Sequence, residues 1–222
     1  KDELPIIIAD SRMPEEAKKN LKRLGNVLFI NPTSVTYNSI ASHPDIFFFQ
    51  KDDALIYAPN APKRIIKELK KRKIKLIEGK KEVGKKYPET VPYNAVGIGN
   101  LLIHNLKHTD ETILSSYENH INVNQGYTRC NLLALNENVF ITSDLAISRQ
   151  LSAVNSQSQS STVKVLYIDP KQIKLEGQKN GFFPGCCGVW KNNLIVCGST
   201  KYLKEKEELD KFLQDNNFNL IE

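Results

Sequence analysis

The feature that most constrains this chain is a repeat. Two short apolar runs, split by a tight polar turn, are followed by a helix-like stretch and a third apolar run, at a period of roughly 40 to 50 residues. The clearest unit begins at Asp45. Residues 46–49 form a strand, Lys51-Asp52-Asp53 a turn and 54–57 the return strand. Residues 63–72 carry a helical stripe through Ile65, Ile66 and Leu69, with lysines on the other side, and 74–77 form a strand stopped by Gly79. The next unit has strands at 94–98 and 101–104 around Gly99-Asn100, a helix capped by Thr109 and running to about 120, and a strand at 121–123. A third has strands at 131–135 and 139–142, a helix capped by Ser143 or Asp144, a polar loop at 155–162 and a strand at 163–168. The last opens on Gly181-Phe182-Phe183-Pro184-Gly185 and Cys186-Cys187, and ends with a helix over 201–214 and a strand over 218–221. An incomplete first unit has strands at 6–9 and 27–30 around a helix over 14–24 that Gly25 ends. A lone hairpin cannot hide its apolar face. Each helix is therefore expected to cover its own small sheet, and about five such units to close into a ring. A linear solenoid would need capping repeats, and none is visible.

At 222 residues, with 40% hydrophobic and 25% charged side chains, the chain reads as one globular domain, 1–222. No apolar run approaches the roughly 20 residues that cross a bilayer, so no membrane is expected as a partner. No leader opens the sequence, so the expectation is a cytoplasmic protein with its four cysteines reduced. Those cysteines lack zinc spacing, and neither a metal nor a cofactor is expected. Gly97-Ile98-Gly99 lacks the third glycine and following helix of a dinucleotide fingerprint. The net charge of +6 lies largely in lysine runs at 67–75 and 80–86. These read as a solvated helix face or as a nucleic-acid patch. No helix-turn-helix, zinc finger or aromatic platform accompanies them, so nucleic acid is the less expected partner.

This order of elements resembles the pentein superfamily of guanidino-group-modifying enzymes, which are five-bladed α/β propellers of ββαβ units. The likeness is strongest in two places. Residues 54–64, reading ALIYAPNAPKR, resemble the second unit of dimethylarginine dimethylaminohydrolases, and 181–189, with its paired cysteines, resembles the segment carrying their nucleophile. The resemblance implies a site in a central channel, where a cysteine attacks a guanidinium carbon, a histidine held by a carboxylate moves protons, and other carboxylates grip the cation. These residue types suit the reaction. The thiolate is the nucleophile, the planar cation needs paired acceptors, and the departing amine needs a proton.

Transferred to this sequence, the resemblance makes Cys186 the nucleophile and Asp45, in Ser42-His43-Pro44-Asp45, a guanidinium anchor. The orienting carboxylate is replaced by Asn94, and the histidine by Tyr127 or a neighbour in Gly126-Tyr127-Thr128-Arg129-Cys130. A tyrosine is a poor base at neutral pH. His43 is a substitute acid–base group beside Asp45, or simply a surface turn residue. Arg129 would repel a guanidinium, or favour an anionic ligand, or lower the pKa of Cys186. Asn94 and Asn131 are either turn formers or hydrogen-bonding groups for a polar ligand. Cys130, Cys197 and Trp190 read as core residues, and His104, His108 and His120 as structural. The resulting expectation is a Cys-dependent hydrolase or amidinotransferase for a small guanidino or amino-acid-like ligand. The alternatives are a non-catalytic binding protein or scaffold on the same fold, or a ribosome- or nucleic-acid-contacting protein.

Overall fold

A computed structural model of the chain describes residues 4–154 and 162–222. Of the expected polar loop 155–162, all but Thr162 lies outside the described residues. The chain divides into two compact units, Lys1–Thr128 and Arg129–Glu222, each with its own apolar core.

In the first unit, β1 (Ile6–Asp10) and β2 (Asn26–Ile30) pair in parallel around α1 (Glu15–Leu24). Glu15 and Glu16 in the first turn of α1, and Lys22 and Arg23 in the last, suit the helix dipole. The next element is one helical turn, α2 (Pro44–Phe47). The expected strand at 46–49 therefore starts two residues late. Proline at the first helical position favours the turn, and its fixed φ costs nothing there. Then β3 (Phe48–Lys51) and β4 (Ala54–Tyr57) form a hairpin, and β5 (Lys75–Glu78) joins β4 in parallel after α3 (Lys63–Lys71). Ile65 and Leu69, four residues apart, are the buried face of α3.

A second hairpin, β6 (Val96–Ile98) and β7 (Leu101–His104), turns at Gly99, whose φ of 53° suits glycine. The long helix expected from Thr109 to about 120 is instead one turn, α4 (Glu111–Leu114), before β8 (Asn119–Asn122). Two local facts end it. The hydroxyls of Ser115 and Ser116 bond back to the Thr112 carbonyl, and Tyr117 drops into the core. Its cap is Asp110, not Thr109.

The second unit follows the same order. One turn, α5 (Thr128–Asn131), leads into the hairpin β9 (Leu132–Asn136) and β10 (Val139–Thr142). Next come α6 (Leu145–Val154), capped by the Asp144 carboxylate, and β11 (Lys164–Tyr167), parallel to β10. A 3-10 turn at Phe183–Cys186 opens the last hairpin, β12 (Cys187–Trp190) and β13 (Asn193–Val196). The helix expected over 201–214 splits in two because Leu203 is extended. Thr200–Tyr202 is a 3-10 turn, and α7 (Lys206–Asp215) follows before β14 (Asn219–Ile221). The described residues thus form five small sheets, one of two strands and four of three, in a mixed α/β fold.

Two buried ionisable groups hold the second hairpin of the first unit. Asp110 is fully buried. It accepts from the amides of Lys80, Lys81 and Thr112 at 2.7–2.8 Å and from Tyr93 Oη at 3.2 Å. Burial works against its charge, yet those donors hold the carboxyl below the usual range. His104 is equally buried between Thr109 Oγ1 at 2.7 Å and the Gly126 carbonyl at 2.9 Å, and burial pushes its pKa down to about 4.

Asp110→Ala takes the acceptor from three part-buried amides and removes a helix cap. It should cost about 2–4 kcal/mol by urea unfolding, whereas Asp53→Ala, at an exposed ion pair, should leave stability essentially unchanged. His104 must be neutral to fold, so the unfolded chain takes up the proton first as pH falls. Stability from this residue is present above the unfolded pKa near 6.5 and is lost as pH drops towards 4. Between pH 6.5 and 4.5 the loss should be about 2–3 kcal/mol. His104→Asn should start less stable at neutral pH and lose less over that window.

Candidate functional site

In the second unit the predicted nucleophile ends a turn rather than beginning a strand. Phe182 is extended, Pro184 helps set the 3-10 turn, and Cys186 is its last residue. The Cys186 carbonyl accepts from Cys197 N at 2.9 Å, which carries the hairpin one step beyond the Cys187–Val196 pair. Cys186 is half-buried, with Sγ 3.7 Å from the Phe182 carbonyl, while Cys187 is buried with Sγ 3.1 Å from the Phe183 carbonyl. The four cysteines are free. Burial, with a smaller contribution from Cys197, pushes the Cys186 thiol up to about 11. The resting thiol is therefore protonated at neutral pH and weakly nucleophilic.

Arg129 corrects one expectation. Its guanidinium donates to the Pro184 carbonyl at 2.9 Å and the Cys187 carbonyl at 2.8 Å, so it straddles the turn that ends in Cys186. Its field acts on Cys187, not on Cys186, and even there burial prevails. Arg129 is a brace for the turn and does not activate the predicted nucleophile. Asn131, buried at the end of α5, uses its carbonyl to accept from Ser143 N and Thr142 Oγ1, each at 2.8 Å. Cys130 is buried as expected, but two other core assignments fail. Cys197 lies one residue past β13 and is exposed, and Trp190 is only half-buried, with Lys191 Nζ 4.7 Å from its ring centroid.

In the first unit, Asp45 sits in the first turn of α2 and is half-buried. A ring nitrogen of His43 and a carboxylate oxygen of Asp45 lie within 4.8 Å of each other. His43 Nε2 is also 3.8 Å from Asp10 Oδ2. Asp10, which sequence reasoning passed over, is gripped by the Arg12 side chain at 2.7–3.2 Å and its amide at 2.8 Å. Burial opposes the Asp10 charge, but Arg12 pulls the carboxyl below its ordinary range. Arg12 also donates to the carbonyls of Asn38 at 2.6 Å and Ser39 at 3.1 Å. One guanidinium thus ties the end of β1 to the turn leading to His43-Pro44-Asp45. The Asp-x-Arg spacing at 10–12, just past an apolar strand, is the signal that was available.

Asn94 is fully buried and donates from Nδ2 to the Asp45 carbonyl at 3.3 Å, so it supports the backbone of the predicted anchor. The Tyr127 hydroxyl shares hydrogen bonds with Tyr37 Oη at 2.7 Å and Thr90 Oγ1 at 2.6 Å. That line of hydroxyls can pass a proton but contains no strong base. His104 is structural as expected, and its bond to the Gly126 carbonyl fixes the segment leading to Tyr127. A groove of about 410 Å³ lies beside α7 and β14, lined by Leu213, Asn217 and Phe218 among others, and none of the predicted site residues lines it. Among the described residues no helix is long and apolar enough to cross a membrane.

With this geometry in hand, known structures identify the fold. A DDAH (dimethylarginine dimethylaminohydrolase) from Pseudomonas aeruginosa, complexed with citrulline, matches with a TM-score of 0.57 at 9% identity, covering 97% of this chain and 89% of the other. SxtG, an amidinotransferase of saxitoxin biosynthesis from Microseira wollei, matches at 0.55 and 15% identity, with 95% and 78% covered. The agmatine deiminase of C. jejuni matches at 0.53 and 14% identity, with 97% and 75% covered. The fold is therefore that of the penteins, as the order of repeated elements implied. No curated protein matches the sequence. A family model does match, over residues 8–222, and the chain belongs to that family of unknown function, DUF6873.

Proposed function

We propose that this chain is a guanidino-group-modifying protein, with Cys186 as the reacting thiol and Asp45 as the group that receives the cationic end of a small ligand. The five-bladed ring and a single domain over 1–222 belong to the same reading. The observation that supports it best is the position of Cys186. It is a half-buried thiol held at the end of a braced turn, in a chain whose fold is shared with enzymes named for guanidino chemistry.

The covalent step needs a thiolate, and the resting thiol near 11 offers about one in ten thousand at pH 7. A bound guanidinium would stabilise the thiolate, because an opposite charge a few ångströms away favours the charged form. The sulfur–carbon bond then forms, a carbon–nitrogen bond breaks, and the departing amine takes a proton. Water or an acceptor amine later releases the thiol. His43 is the better proton carrier than Tyr127. Its imidazole lies near the carboxylates of Asp10 and Asp45, whereas the Tyr127 hydroxyl is engaged by two other hydroxyls. Asn131 and Asn94 serve this reading by holding the turn ends, and Arg129 by bracing the thiol's turn.

A second reading, ligand binding without turnover, is favoured by a specific observation. Asn94 and Tyr127 stand where the resemblance requires a carboxylate–histidine pair. General acid–base catalysis supplies roughly 10² to 10⁴ in rate, so its loss would leave a binding protein.

Alkylation mapped to Cys186 by mass spectrometry should be slow at pH 7 and rise about tenfold per pH unit towards 11. A flat profile between pH 7 and 9 would remove the buried-thiol assignment. Incubation with agmatine or methylated arginines should release amine from the wild type and none from Cys186→Ser. Thermal stabilisation by the same compounds with no product selects the binding reading, and neither stabilisation nor product defeats both.

A further inference from the structure

We infer that α1 and α3 together form a binding surface for the phosphate backbone of single-stranded nucleic acid, independent of the chemistry proposed above. Residues 63–75 hold eight of the 31 Lys and Arg against one of the 25 Asp and Glu, so this stretch alone exceeds the chain's whole excess of +6. Its cations cannot fold inward, because Ile65 and Leu69 bind that side of α3 to the core. Its single acid, Glu68, is already paired with Lys71 and Arg72, both at 2.8 Å. Lys63, Lys67, Lys70 and Lys73 remain exposed, with no ion pair among the described residues.

The sequence alone argued against nucleic acid because these lysines had no aromatic partner. The fold supplies one. Phe29, on β2, is half-exposed, with two lysines of α1 over its ring, one of them paired with Glu15 at 2.7 Å, and an arginine of α3 on its backbone carbonyl. Lys18 Nζ and Lys22 Nζ of α1 lie 5.9 and 5.8 Å from its ring centroid, and Arg64 of α3 donates to its carbonyl. Lys19, Lys22 and Arg23 are exposed along α1, so cations of the two helices meet at this residue, those of α1 at its ring and Arg64 at its carbonyl. The two ammonium groups lie over the ring, so a base that stacks there takes the place of a lysine that turns to a phosphate, which suits a single strand whose bases are free to stack. A lipid surface would need apolar side chains to insert, and the apolar side of α3 is spent on the core.

Fluorescence anisotropy of the full chain with a labelled single-stranded 20-mer tests this. With about four phosphates engaged, log K should fall against log salt with a slope near −3, so raising salt from 50 to 200 mM weakens binding roughly 50-fold. The triple variant Lys63→Glu, Lys67→Glu, Lys70→Glu should lose most of the affinity and flatten the slope. Lys171→Glu, Lys174→Glu, Lys179→Glu, with the same change in net charge, should bind within about twofold of wild type, both variants first checked for folding by circular dichroism. Phe29→Ala should weaken binding severalfold at an unchanged slope. Equal loss in both triple variants, a salt-independent affinity, a duplex bound as tightly as the single strand, or binding to anionic vesicles alone would each overturn the proposal.

Discussion

One main-chain hydrogen bond recurs and sets where everything else falls. The Phe47 carbonyl accepts from Ala58 N, Asn131 from Ser143 N and Cys186 from Cys197 N, at 2.8–2.9 Å. Each lies one step before the first strand of a hairpin, at the last residue of a single helical turn. It extends the antiparallel ladder past the strand proper and locks the turn's exit direction. Asn94 closes a turn that begins at Val91 but lies two residues before β6, outside this pattern. Two of the residues singled out as site candidates, Asn131 and Cys186, are therefore one position repeated. The apolar Phe47 fills it once, fully buried. What differs between repeats is the side chain that this fixed backbone presents.

The protein's own guanidinium groups do similar work in both units. Arg12 draws together a carboxylate and two carbonyls ahead of Asp45, and Arg129 draws together two carbonyls around Cys186. A planar fork with several donors can satisfy carbonyl groups that a tight turn leaves outside any ladder. Arginine at such a place raises no nucleophilicity by itself. Its hydrogen-bonding capacity is taken up by dipoles, and desolvation of the nearby thiols outweighs its field.

How much of this could be read from the sequence follows from period and range. The hairpins and their parallel third strands were legible because two apolar runs around Asp52-Asp53 or Gly99-Asn100 leave few other choices. The one-turn helices were not legible. Four residues give no period, and only Pro44 and Pro184 hinted at them. The middle helix was overread because Thr109 and Leu114 suit a helix, whereas the serine hydroxyls and the pull of Tyr117 into the core are decided by contacts. At the candidate site, Cys186 and Asp45 could be named from local motifs. Asp10 could not be linked to His43, nor Phe29 to Arg64, because each pairing joins residues more than 30 positions apart.

The repeat also clarifies the charges near the turns. Counting two residues back from the recurrent position gives Asp45 before Phe47, Arg129 before Asn131 and Pro184 before Cys186. One backbone location thus carries an acid, a base and a neutral ring. The base turns to carbonyls within its own unit, and the neutral ring helps build the turn that Arg129 braces. The acid, half-exposed and near a histidine, is the one of the three with the charge to attract a cation. A pseudo-symmetric scaffold can therefore spend most copies of a position on stability and leave one for chemistry. Here Arg129 and Pro184 serve the turn before β12, while Asp45 places a carboxylate beside His43, and the proposed cationic ligand rests on that carboxylate together with the thiol of Cys186.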